Sequence, residues 1–392
     1  MPNPRVSVKA GCFTESVIRE MTRLAAEHQA VNLAQGFPDF PAPDFIKEAA
    51  CAAIHQDINQ YAVTWGSPRL RAAIAEKYRR FYNWPVDPER EITVCCGATE
   101  GMIASILALV DPGERVALFE PFYENYGPDT IIAGAQPLLI LLDETRQWAL
   151  DPDLLERTLH QGRQQGGIKA LILNSPNNPT GRVFSLEELG LIAALAQEYD
   201  FYVITDEIYE HIVYDGHRHH PIALLPGMRE RTVTVSGMSK TFAVTGWRLG
   251  YVLAPADLTS AIRKMHDFLT VGAAAPLQEA AAVALAVGDS YYSELADAYL
   301  RRREFLLAGL QRAGFRPWSP AGAYYILADI RDLTRESDVA FVQRLIREKR
   351  VAAVPGSSFF HDPSRGRHLV RFAFCKSLAL LEEAVGRLTD QP

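Results

Sequence analysis

Seven short β-rich runs mark the middle of the chain: EITVC (91–95), RVALF (115–119), PLLILL (137–142), KALILN (169–174), FYVITD (201–206), TVTVS (232–236) and LGYVLA (249–254). Between them the apolar residues change to helical spacing. In SLEELGLIAALAQEYD, Ser185 and Glu188 form a capping box, and Leu186, Leu189, Ile192 and Leu195 share one face. Strands alternating with helices predict an α/β fold with a mostly parallel central sheet and helices on both faces.

The pattern changes after about residue 255. Residues 256–313 are helical in spacing, notably SYYSELADAYLRRREFLLAGLQRAG. They are followed by AYYILAD (323–329), a helix near 337–350, HLVRFAF (368–374) and a last helix. This predicts a smaller α+β unit. The stretch NLAQGFPDFPAPDF (32–45) is irregular and proline-rich. The expected organisation is an N-terminal segment, 1–45, packing on a small C-terminal domain, 281–392, with a large ligand-binding domain, 46–280, between them.

Composition narrows the function classes. The chain has 392 residues, 48% hydrophobic and 22% charged, with a net charge of −7 and no basic block. That argues against nucleic acid or an anionic membrane as the main partner. The purest apolar run, MIASILALV (102–110), is far too short to cross a bilayer. The first twenty residues lack the apolar core of a secretory signal, so a cytoplasmic location is expected. Five cysteines without C-x-x-C spacing read as reduced core thiols, not as a disulfide framework or a zinc site. HRHH (217–220), flanked by Gly and Asp, reads as a solvated loop, and no metal is expected.

In open α/β sheets ligands sit beyond the carboxyl ends of the strands, so the residues there are the candidates. After EITVCC comes Gly97-Ala98-Thr99, either an ordinary turn or a helix start whose free N–H groups take a phosphate. Tyr123 follows RVALFE and either packs or stacks on a flat ligand. Asn178, in SPNNPTG, either joins elements or faces a pocket. Asp206 ends an apolar strand, as a helix cap or as a buried carboxylate awaiting a cation, with Tyr209 one turn on. SGMSKTFAVTGWRLG (236–250) carries Lys240 and Arg248. Together these place an anion turn, an aromatic plate, an amide, a carboxylate, a phenol, a lysine and an arginine along one edge. Pyridoxal 5′-phosphate calls for that set, with its phosphate, flat ring, ring nitrogen, phenolic oxygen and aldehyde.

The segment Gly237–Gly250 resembles the lysine signature of class I/II aminotransferases of fold type I. NSPNNPTG, TDEIYEH and VRFAF follow the family's order, and NLAQGFPDF is similar to the branch that includes kynurenine, glutamine and methionine aminotransferases. The resemblance implies a pyridoxal-phosphate enzyme in which Lys240 condenses with the cofactor aldehyde and shuttles the substrate proton, while Asp206 pairs with the ring nitrogen. It further implies that Asn178 and Tyr209 bond the ring oxygen, Tyr123 stacks on the ring, and Gly97, Ala98, Thr99 and Arg248 hold the phosphate. Arg371, with Asn178 and the backbone at Gly36, would clamp the substrate α-carboxylate. Tyr61, in NQYAVTWGSPRLR, would reach the phosphate of a second subunit, implying a homodimer with shared sites.

The sequence departs from the family at Gly237, where many members have a serine, at Ile18, where kynurenine-type enzymes have a large aromatic, and at GAAA (272–275). The implied reaction moves an amino group from an L-amino acid, of aromatic, methionine, glutamine or kynurenine type, to a 2-oxo acid. Alternatives are an aspartate-type specificity, a β-lyase acting on cysteine conjugates or cystathionine, or a cofactor-sensing regulator, which the acidic charge disfavours.

Overall fold

The computed structural model describes residues 5, 7–12 and 15–390. Residues 1–4, 6, 13 and 14 of the expected N-terminal segment and 391–392 of the expected C-terminal unit lie outside the described residues. All seven β-rich runs form strands of one sheet. After the short strand β1 (Val31–Asn32), these are β2 (Ile92–Cys95), β3 (Arg115–Glu120), β4 (Gln136–Leu141), β5 (Ala170–Asn174), β6 (Tyr202–Asp206), β7 (Thr232–Gly237) and β8 (Gly250–Leu253). They lie in the order β2-β8-β7-β6-β5-β3-β4. Only β8 runs against its neighbours, β2 and β7. Every other pairing is parallel.

Alternate residues of the strands enter two different cores. Ala117, Phe119, Leu171, Leu173 and Val203 pack on one face, and Val116, Leu118, Ala170, Ile172 and Ile204 on the other. Both faces are therefore covered, as the continuous apolar runs require. The capping box at Ser185 and Glu188 is formed. Leu189, Ile192 and Leu195 are buried beneath it, but Leu186, in the first turn, is 52% exposed because the helix begins beyond the packed surface.

Towards the C-terminus, β9 (Arg316–Pro317), β10 (Tyr325–Asp329), β12 (Val354–Pro355) and β13 (Leu369–Ala373) form a four-stranded sheet, and β11 (Val351–Ala352) pairs in parallel with β1. Leu33 N–H donates to the Ala352 carbonyl, and Ala373 N–H donates to the Leu33 carbonyl. These bonds carry Ala34 and Gly36 across to the edge of the large sheet. The helix Val17–Glu27, whose buried face is Ile18, Met21 and Ala25, covers the join.

Two sequence expectations change. Cys12 and Cys51 are exposed, so only Cys95 and Cys375 are core thiols, with Cys96 in between. The HRHH stretch is not wholly solvated: His219 is buried, its Nε2 2.8 Å from Glu207 Oε2. No helix among the described residues is long and apolar enough to cross a membrane.

Behind β6 and β7 lies a buried polar network. Lys77 Nζ donates to Glu210 Oε1 at 2.5 Å and to the Tyr251 hydroxyl at 2.7 Å. Tyr82 and Ser236 also donate to Glu210, at 2.7 and 2.8 Å. Burial works against the Glu210 charge, but the Lys77 ammonium outweighs it and holds the carboxyl down at about 2. Removing one partner strands the other charge. Lys77→Met is expected to destabilise the protein by ~3–5 kcal/mol in urea unfolding. A loss below about 1 kcal/mol would show that the pair is not buried as described.

Candidate active site

At the carboxyl edge of the large sheet lies a cavity of about 430 Å³. Its floor is the turn after β2. The chain passes through Gly97 into the helix Ala98–Leu109, and Gly97, at φ 85°, caps that helix with no side chain. A Cβ at Gly97 would lie 2.3 Å from Arg248 Nη2, and one at Gly250 would lie 2.3 Å from Ala98 N. The two glycines thus bring the helix start, β8 and a guanidinium into contact. Ala98, Thr99 and Arg248 line the cavity. Among the described residues, the one hydrogen bond from the Arg248 guanidinium is from Nη1 to the Thr245 carbonyl, at 3.1 Å. The first N–H groups of a helix together with a free guanidinium make an anion cradle. Gly237 has a local reason as well: a Cβ there would meet the Leu249 carbonyl oxygen at 2.8 Å. A serine could not enter without moving β8.

Asp206, at the end of β6, is 9% exposed. Its Oδ2 accepts from the Tyr126 hydroxyl at 2.7 Å and its Oδ1 from Ile208 N–H at 3.1 Å. Burial pushes its pKa above the usual carboxylate value; the hydrogen bonds and the nearby Lys240 charge only partly offset this. A cationic N–H donor in the cavity is what this carboxyl lacks. Asn174 fixes the neighbouring turn, its amide donating to the Asp206 carbonyl and its Oδ1 accepting from Asn178 N–H at 2.7 Å. Tyr209 Oη lies 3.0 Å from Tyr325 Oη. Tyr123 stands on the wall, its ring edge-on to Tyr126 at 5.7 Å.

Lys240 projects from the loop after β7. Its Nζ donates to the Gly36 carbonyl at 3.2 Å, which also accepts from Tyr324 at 2.9 Å. Burial, reinforced by the Arg248 and Arg371 charges and opposed by Asp206 and Cys375, lowers the amine to about 8. Such an amine is in part neutral, and so nucleophilic and basic, near neutral pH.

Arg371 is not on an exposed edge. Its strand β13 is hydrogen-bonded between β12 and β10, and the residue is 1% exposed. Nη1 donates to Asn178 Oδ1 and Nη2 to the Ala34 carbonyl, each at 2.8 Å, while Nε is buried with no acceptor. The guanidinium carbon lies 4.2 Å from the Tyr325 ring centroid and 4.8 Å from that of Phe359. Among the described residues no carboxylate pairs with it, so the site holds a desolvated cation facing a cavity.

The tertiary structure thus gathers Gly36, Asn178, Tyr209, Lys240 and Arg371 with the cradle, Tyr123 and Asp206. It does not gather Tyr61, which is 89% exposed and away from this cavity. Residues 272–275 do not line it either, whereas Ile18 does. Four aromatic or polar partners escaped the sequence reading: Asn174, Tyr126, Tyr324 and Tyr325. Tyr126 was detectable as the residue one helical turn beyond Tyr123. A fifth, Asp129, lines the wall with Oδ2 buried and unpartnered, and burial raises its carboxyl to about 7. The donor set suits pyridoxal 5′-phosphate: a cradle for the phosphate, a buried carboxyl for a protonated ring nitrogen, and a partly neutral lysine for an aldehyde.

The model of the family described as aminotransferase class I and II matches residues 28–388. The chain is 42% identical to the probable N-succinyldiaminopimelate aminotransferase of Mycobacterium tuberculosis, over 96% of each protein. It is 38% identical to kynurenine–oxoglutarate transaminase 1 of Homo sapiens, over 93% of this chain and 92% of that one. A solved structure from Escherichia coli, with a methionine aminotransferase function, superposes with a TM-score of 0.92 at 34% identity, covering 98% of this chain and 99% of the other.

The Lys240 environment predicts a selective titration. In cofactor-free protein, the rate at which an amine-directed reagent modifies Lys240, followed by peptide mass spectrometry, should rise with a midpoint of about 8. A midpoint near the ordinary lysine value of about 10.4 would contradict the described burial.

Proposed function

The chain belongs to the class I and II aminotransferases, pyridoxal-phosphate-dependent enzymes of fold type I, and we propose that its donor or acceptor has a long side chain ending in a carboxylate. The observation carrying this choice is Arg19. It lines the cavity on the helix Val17–Glu27, beside buried Ile18, and among the described residues no carboxylate pairs with it, the nearby Glu15 being bound to Arg23. An unpaired guanidinium at the mouth favours a distal anion. The relative named for N-succinyldiaminopimelate supports the same class. A neutral side chain, of methionine, glutamine, aromatic or kynurenine type, is the second reading, favoured by Phe37, Met102 and Ile18 on the wall.

The division of labour follows from the contacts. Ala98, Thr99 and Arg248 would hold the phosphate, with Gly97 giving the room. Asp206, steadied by Tyr126, would hold the proton on the ring nitrogen. Asn178 uses its Oδ1 on Arg371, leaving its amide hydrogens, with the Tyr209 hydroxyl, for the ring oxygen. Tyr123 would cover one ring face. Arg371 would take the substrate α-carboxylate, supported by Asn178 and the backbone at Gly36. Once bound, the cofactor supplies an aldehyde and an electron-withdrawing ring that stabilises the charge left when the α-proton departs. Lys240 Nζ, close to its neutral form, would take that proton and return it.

The assembly is part of the same reading. Tyr61, Val63, Phe268, Leu269 and Val271 are exposed apolar side chains on two neighbouring segments, 61–64 and 265–271, tied by a bond from His266 to the Thr64 carbonyl. A second copy covering them would bring Tyr61 towards the partner's cavity. Within one chain, the bonds from β1 to β11 support an N-terminal segment, 1–45, packed on a unit spanning 281–392, with 46–280 as the cofactor-binding unit.

A spectral half-reaction with each amino acid tests the substrate class. Conversion by N-succinyldiaminopimelate or another acidic long-chain donor, with Arg19→Ala lowering kcat/KM for it ~10-fold and sparing methionine, is expected. Equal losses for both would refute the Arg19 assignment. Turnover without a 2-oxo acid, releasing pyruvate, would favour a β-lyase instead. Arg371→Ala should weaken amino-acid binding by ~2–5 kcal/mol, and an unchanged KM would refute its placement. Sedimentation should give a dimer, and a monomer at working concentration would remove the shared site.

A further inference from the structure

Beneath the anion cradle sits a buried ionic pair that the proposed chemistry does not use. Glu100 lies in the first turn of the helix Ala98–Leu109 and is 8% exposed. Its Oε2 accepts from Cys96 N–H at 3.0 Å. Both carboxylate oxygens lie 3.0 Å from Nδ1 of His266, which is fully buried on the helix Ala256–Thr270. The other ring nitrogen, Nε2, lies 2.8 Å from the Thr64 carbonyl oxygen. With Glu100 ionised, it and the carbonyl only accept, so both ring nitrogens donate and His266 is an imidazolium.

The electrostatics of the helix start make this pair significant. The N-terminus of a helix favours one anion, and a carboxylate in the first turn already takes that place. A phosphate arriving at Gly97–Thr99 would meet that negative charge in a poorly solvated setting. We propose that His266 is a positioning residue for the cofactor phosphate: its fixed charge neutralises Glu100 and lets one helix start accept a second, external anion. The proposal rests on the placement of the phosphate at that turn. His266 also clamps Thr64, three residues from Tyr61, so the cradle and the exposed apolar segment share one anchor.

The surroundings agree. Burial alone would lower the His266 value, but the Glu100 hydrogen bond and charge, the Thr64 carbonyl and Asp267 on its own helix together raise it. From the end of β2 the facing groups are the thiols of Cys95 and Cys96. Burial raises both, although at Cys96 the Thr270 hydrogen bond and then the Arg248 charge pull the other way. Thr270 offers only a hydroxyl, 3.4 Å from Nδ1. The side-chain donors of Cys95, Glu100 and His266 lie within 4.8 Å of one another. With a hydrogen on each ring nitrogen, however, His266 has no lone pair for a metal ion.

The test compares binding of pyridoxal 5′-phosphate with binding of pyridoxal by the full chain, followed through the ligand's absorbance. Both ligands carry the same aldehyde and ring, so their ratio isolates the phosphate from the chemistry at Lys240. His266→Gln should weaken pyridoxal 5′-phosphate ~10-fold and leave pyridoxal unchanged, and adding Glu100→Gln should restore the preference to within about threefold of wild type. In the wild type the preference should fall as pH rises through the raised His266 value, above the ordinary histidine range, because the imidazolium is present only below it. In the double variant it should not change there. Equal weakening of both ligands, or no restoration in the double variant, would overturn the proposal. If His266→Gln does not fold, Glu100→Gln alone decides: retained preference supports the proposal, and a ~10-fold loss overturns it. A wild type that binds both ligands equally would overturn the phosphate placement, and the proposal with it.

Discussion

The guanidinium of Arg371 lies in the middle of a β-sheet, out of water, with two neutral acceptors and, among the described residues, no carboxylate. A charge so placed costs several kcal/mol unless a counter-ion pairs with it. The rings of Tyr325 and Phe359 lie within cation–π distance of the guanidinium. Asn178 and the Ala34 carbonyl fix its direction. The same imbalance recurs across the cavity, where, among the described residues, neither Asp206 nor Arg248 has an ion-pair partner, although Lys240 lies near the first and the Thr245 carbonyl accepts from the second. On the proposed function, a carboxylate, a phosphate and a protonated ring nitrogen would complement these three charges.

Holding such charges apart requires a rigid scaffold, and the segment TDEIYEH shows how it is supplied. Asp206 and Tyr209 face the cavity. Glu207 and Glu210, interleaved with them, face the other way and are bound to Thr205 and His219 and to Lys77, Tyr82 and Ser236. Both carboxylates on one side of the turn are fully bonded, whereas on the other side Asp206 has no ion-pair partner among the described residues. The backbone of the N-terminal segment plays a comparable part. It lends the Ala34 carbonyl to Arg371 and the Gly36 carbonyl to Lys240, and it is held there by strand pairing with residues more than three hundred positions away.

At the cradle, sterics and charge act together. Gly97 and Gly250 remove the side chains that would separate the helix start from Arg248 and from β8. Glu100 and His266 then form a neutral buried pair directly below. The anion site is therefore a balance of four groups, not a property of a helix terminus alone.

Much of this was legible in the chain itself. The seven β-rich runs defined all seven strands of the large sheet, because strands covered on both faces are rich in apolar and β-branched residues, Thr93 and Thr234 among them. Lys240, Asp206 and Arg371 stood out because a polar group just beyond, or within, an apolar run has no cheap place to go. Pairing direction and partners were not legible, since β8 reads like its parallel neighbours yet runs against them. Nor was it visible that Leu186 would fall outside the packed face, that His219 would be drawn inside, or that Tyr126 would hold Asp206. Local sequence determined which residues leave water and in what periodicity, because hydrophobicity and turn chemistry act over a few residues. Only the tertiary structure decided which charges meet and which stay unpaired, because that depends on contacts such as Arg371 with Ala34 and Lys240 with Gly36, made between segments hundreds of residues apart.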